Sequence, residues 1–112
     1  MRVEVYWNLH KKLFSVRALE GENKGRVIEH AYKVKLEEAS FVVQPAGRER
    51  VLREGKKNVH AFVRGRLAPY IEGPRRSYPV TYNPYKYNSF VQAETEKPVR
   101  WSPEVYMDVM LG

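Results

Sequence analysis

The sequence predicts a mainly β, α+β fold: a curved antiparallel sheet or small open barrel with one or two short helices. Three observations predict it. Apolar and polar residues alternate with a period of two in several separate stretches of the 112-residue chain. A single stretch has helical spacing, and it is enclosed between a proline and a glycine. The connections are rich in turn-forming residues, with 7 Gly and 7 Pro in all.

The elements follow in order. "VEVYW" puts Val3, Val5 and Trp7 on one face and Glu4 and Tyr6 on the other, the pattern of a half-buried strand. "KLFSVRAL" repeats it with Phe14, Val16 and Ala18. The short "NLHKK" between them predicts an antiparallel hairpin. "GENKG" reads as a loop. "RVIEHAYKVKLEEASFVVQ" reads as two strands, or one bent near "EEAS", anchored by Val27, Val34, Leu36, Phe41 and Val43. "PAGRERVLREGKK" predicts a short surface helix. Pro45 opens it, Glu49 precedes Arg53 by one helical repeat, Gly55 ends it, and Val51 and Leu52 are its only anchors.

"NVHAFVRGRL" is the next predicted strand. Val59, Ala61, Val63 and Leu67 take its inner face; His60, Phe62, Arg64 and Arg66 take its outer face. "APYIEGPRRSYP" is a loop, and the Asn-Pro of "PVTYNPYKYNSF" marks a turn. Val105, Met107, Val109 and Leu111 alternate as a C-terminal strand. Neither a repeat nor a linker interrupts the chain, so residues 1–112 read as a single domain. The predicted core is Val3, Val5, Phe14, Val16, Val59, Val63, Val105, Met107 and Val109.

Composition bounds the function. At 43% hydrophobic and 29% charged residues the chain is globular in type. Its apolar runs fall short of the roughly 20 residues that span a bilayer, so a membrane partner is not expected. The alternating N-terminus is unlike a signal peptide. With no cysteine, disulfide and thiolate chemistry are excluded, which fits a cytoplasmic protein. Net charge is +7, and +6 of it lies between Gln44 and Arg76, where nine Lys/Arg face three Glu. A concentration of that kind points to a polyanion.

"GKKNVHAFVRGRL" carries the sharpest pattern. Lys56, Lys57, His60, Arg64 and Arg66 surround Phe62, and the stretch contains no acid. An aromatic flanked by cations suits a single-stranded nucleic acid, whose bases stack while phosphates meet Lys and Arg. Tyr82, Tyr85 and Tyr87 are further candidates for stacking, in a cluster that also holds Tyr78 and Phe90. The predicted nucleic-acid-binding set is therefore Lys56, Lys57, His60, Phe62, Arg64, Arg66, Tyr82, Tyr85 and Tyr87. No cofactor, metal site or catalytic residue is predicted. His10, His30 and His60 match no zinc spacing, and only their convergence in space, near Glu29, would give a small metal-independent ribonuclease-like site.

"VYWNL" and "HAFV" partly resemble the two strand motifs of the RNA recognition motif. That family is set aside, because the first strand leads into another strand and Gly65 stands where an aromatic is needed. "YWNLHKKLFSVR" together with "GRERVLREGKKNVHAFVRGRL" resembles small uncharacterised proteins encoded by tailed bacteriophages, and "YNPYKYNSF" adds to the likeness. The resemblance implies expression in a bacterial host and no particular activity. It leaves two partners: nucleic acid, with a single strand favoured, or a host protein that the chain would inhibit.

Overall fold

The computed structural model describes residues 1–8, 11–55, 59–71 and 80–108. Six strands form one antiparallel sheet: β1 (Arg2–Asn8), β2 (Leu13–Ala18), β3 (Val27–Ala31), β4 (Lys33–Val43), β5 (Ala61–Ala68) and β8 (Trp101–Asp108). Their spatial order is β3-β2-β1-β5-β4-β8. The sheet keeps two edges, β3 and β8, so it is not closed into a barrel. A two-residue pair, β6 (Val80–Thr81) with β7 (Val91–Gln92), stands apart from it. The one helix among the described residues, α1 (Pro45–Glu54), links β4 to β5. The mainly β, α+β expectation holds, in its open-sheet form and with one helix among the described residues.

Local chemistry explains the connections. Asn8 closes the β1–β2 hairpin by accepting the Lys11 N–H on its side-chain oxygen and the Lys12 N–H on its carbonyl. The predicted "GENKG" loop joins β2 to β3, with Gly25 at φ +86° donating its N–H to the Ala18 carbonyl. Pro45 occupies the first turn of α1. Gly55 ends it in the left-handed conformation and donates to the Val51 carbonyl. Only Val51 of the helix is buried. Besides this one buried apolar side chain the helix has its Gly55 cap, the close approach of Gly47 to His60 and a hydrogen bond from Arg48 to the Tyr87 carbonyl.

The core lies on one face of the sheet. Cross-strand register sets Val16, Val5, Val63 and Phe41 in a row over β2, β1, β5 and β4. Val3, Phe14, Val34, Leu36, Ala39 and Val105 complete the buried cluster, and Met107 packs against it. Three expected anchors fail. Leu52 of α1 is 40% exposed, because the helix lies on the surface and buries only Val51. Val59 is 38% exposed, because β5 starts at Ala61 and Val59 lies in the connection before it. Val27 is also exposed, because β3 is an edge strand with a solvated surface. Val109 and Leu111 lie outside the described residues.

A β-bulge in β4 corrects the register of the core. Glu37 pairs with Arg66 and Ser40 with Arg64, so Glu38 and Ala39 together oppose Gly65. The extra residue lets both Leu36 and Ala39 reach the apolar layer. It also fills the space above Gly65: a Cβ there would stand 2.9 Å from the Glu37 carbonyl oxygen and 3.3 Å from the Ala39 Cα. Gly65→Ala is expected to destabilise the fold by about 1–3 kcal/mol through overpacking against rigid backbone. The urea midpoint measures it, and an unchanged midpoint would mean that the bulge does not sit over Gly65.

Candidate nucleic-acid interface

The face of the sheet opposite the core carries charged residues between aromatic ones, and its charges are matched across strands. Register places Arg17, Glu4, Arg64, Ser40 and Trp101 side by side on β2, β1, β5, β4 and β8. Residues directly opposite one another in a ladder project from the same face. Glu4 is 5% exposed. One of its carboxylate oxygens accepts from Arg64 Nε at 2.7 Å and the other from Arg17 Nη1 at 3.4 Å. The Arg17 guanidinium also lies 5.5 Å from the centroid of the Tyr6 ring. In the next row Arg66 Nη2 donates to Glu37 at 2.8 Å. That hydrogen bond holds the Glu37 carboxyl below its ordinary range, against a smaller opposing effect of desolvation.

The missing acid of "GKKNVHAFVRGRL" is thus supplied by two neighbouring strands. Glu4 and Glu37 were not singled out from the sequence, since nothing local connects Glu4 to a residue 60 positions away. The carboxylates do not remove the cations from the surface. Arg64 keeps 42% of its side chain exposed over the buried Glu4. Its two terminal amino groups make no hydrogen bond among the described residues. Glu4 therefore works as a buried strut beneath two outward guanidinium groups. Trp101, 58% exposed, ends the row.

The other predicted residues divide between locations. Phe62 lies 7% exposed with its ring edge-on to Tyr6, 6.1 Å between centroids, so its face is covered by protein. His60 is buried and shares a 2.7 Å hydrogen bond with the Tyr82 hydroxyl. Gly47 of α1 packs so closely on His60 that a Cβ there would come within 2.5 Å of the His60 Cβ. Tyr82 turns toward the apolar side of the sheet, where it stacks on Phe90. Burial pushes its phenol pKa up, with the Arg48 charge opposing. Tyr85 is exposed on the turn built by Asn83, whose side-chain oxygen accepts the Tyr85 N–H. Tyr87 donates its hydroxyl to Glu96, and its carbonyl accepts from Arg48 Nε of α1. Lys56 and Lys57 lie outside the described residues. The predicted set is therefore not one surface: Arg64 and Arg66 share the polar face, and the tyrosines belong to a segment on the apolar side.

The histidines have separate duties. His30 on β3 shares a 3.0 Å hydrogen bond with Ser15, which also accepts from Asn8. Ser15 is fully buried and out of reach of a substrate. Two strands stand between β3 and β5, a separation of about 14 Å at ordinary interstrand spacing, so His30 and His60 do not converge. His10 lies outside the described residues.

Comparison with known proteins locates the chain. Residues 1–110 match the family described as the Mycobacterium phage L5 gene 82 protein. The gene 82 protein of Mycobacterium phage L5 is 42% identical over 113 residues, spanning 96% of this chain and 90% of the relative. No solved structure matches. The chain belongs to the Mycobacterium phage L5 gene 82 protein family, as its resemblance to phage-encoded proteins implied. Among the described residues no helix is long and apolar enough to cross a membrane.

The Arg66–Glu37 pair sets a testable sign. A carboxyl whose pKa is lower folded than unfolded stabilises the fold above its unfolded pKa. That contribution is lost as pH falls through the folded value. Carboxyl-carbon NMR is expected to show Glu37 titrating below the ordinary Glu range of about 4.3, and Arg66→Met to raise it. An identical Glu37 titration in both proteins would rule out the pairing.

Proposed function

We propose that this phage protein binds single-stranded nucleic acid across the polar face of its sheet, in the cytoplasm of a bacterial host. Arg17, Arg64 and Arg66 meet phosphates, and Trp101 stacks on a base. Lys56 and Lys57, which precede β5 in the sequence, add to the positive charge of the chain. The observation that carries the reading is the row in which two guanidinium groups, braced by a buried Glu4, lead through Ser40 to an exposed tryptophan. Preorganised cations lose less side-chain freedom on binding than free ones. Phe62 and Tyr82, first read as stacking residues, have packing roles here.

One observation favours a protein partner instead. Tyr85 is exposed on a turn held by the Asn83 side chain, and exposed tyrosines serve as interface anchors. The two readings separate by experiment. Fluorescence anisotropy with labelled DNA and RNA oligomers at low salt is expected to show binding. Three phosphate contacts on a single strand imply a log–log salt slope of about −2. Trp101→Ala is expected to weaken binding by about 1–3 kcal/mol, and Tyr85→Ala to leave it unchanged. No binding to either oligomer at low salt would end the nucleic-acid reading.

A further inference from the structure

The opposite face of the sheet holds a feature that the proposed binding does not use. A cleft of about 230 Å3, partly open to solvent, lies between the core strands and the segment carrying β6 and β7. One wall is Trp7 set edge-on to Phe14, with centroids 5.1 Å apart. Another is Phe90, which meets Phe41 and Tyr82 at 5.3 Å each. Met107 is also in the lining. The Tyr82 hydroxyl faces a partner already, in His60.

Most of its walls offer water no hydrogen bond, the other lining residues that carry hydroxyls being Tyr6, Thr81 and Tyr106. An apolar space of about 150 Å3 is already large enough to take benzene. The walls of an unfilled cavity also forgo dispersion contacts that a guest would restore. Aromatic walls set at different angles, steep between Trp7 and Phe14 and tilted around Phe90, favour a flat guest that presents an edge to one ring and a face to the next. Methionine adds a polarisable sulfur suited to ring edges. The volume is below the range of about 300–1,000 Å3 that holds drug-sized ligands. We infer that this cleft is a binding site for a single apolar aromatic ring, of benzene to indole size, carried by a free small molecule.

The test uses toluene as the probe and the full chain carrying Trp101→Phe, so that Trp7 is the only tryptophan. Toluene is expected to change Trp7 emission saturably. At roughly five times its dissociation constant it should raise the thermal midpoint by about 4 °C. Val105→Phe fills the cleft from the sheet and is expected to abolish both effects. Val80→Phe fills it from the short β6 strand and serves if the first variant does not fold. Unchanged emission and midpoint up to the solubility limit of toluene would overturn the inference, as would an undiminished response in both filled variants. A response that appears only after residues 109–112 are deleted would also overturn it, because the cleft would then be the seat of the chain's own end.

Discussion

A carboxylate buried between two arginines sets the frame for this molecule. Glu4 stands on β1, a central strand of the sheet, and reaches Arg17 on β2 and Arg64 on β5. Removing a carboxylate from water is costly, and only close, hydrogen-bonded partners offset it. That cost makes the pairing selective. Slipping β1 by one residue would turn Glu4 into the layer of Val3 and Val5 and strip it of both guanidinium groups. The ion triad and the valine row therefore demand the same register from opposite faces of the same strands.

That register gives the two faces different capacities. On the polar side it fixes guanidinium groups above a buried acid and brings them into line with Trp101. On the apolar side it aligns Val16, Val5, Val63 and Phe41. The bulge opposite Gly65 keeps β4 in phase with them. The segment from Val80 to Gln92 then lies over this layer through Tyr82 and Phe90 and leaves a ring-sized space against Trp7 and Phe14. His60 ties that segment to α1, since it touches Tyr82 on one side and Gly47 on the other. A change at β1 would thus be felt on both faces at once.

Whatever rests on neighbours along the chain was legible in the sequence. The β1–β2 hairpin, the Pro45-to-Gly55 helix and most of the alternating core residues are short-range patterns, and these are present. What failed was long-range. Arg64 and Arg66 looked uncompensated because Glu4 and Glu37 come from other strands. Phe62 looked like an open stacking platform because nothing in its own strand reveals Tyr6 beside it. Gly65 looked like a missing aromatic, whereas its reason is the bulge it faces. Val59 and Val27 satisfied the alternation rule, yet one precedes its strand and the other lies on an edge. Trp101 gave no signal of its own, because its neighbourhood with Arg64 exists only through the pairing of β8 with β4.

The most direct measurement is a double-mutant cycle on the Glu4–Arg64 pair. It compares the unfolding free energies of the wild type, Glu4→Gln, Arg64→Met and the double variant. Arg64 is partly solvated, so the coupling is smaller than for a fully buried pair. The account requires a favourable coupling of about 1–2 kcal/mol, with Glu4→Gln alone measurably destabilising. Additive effects, equal within about 0.3 kcal/mol, would contradict it and leave Arg64 an ordinary surface cation.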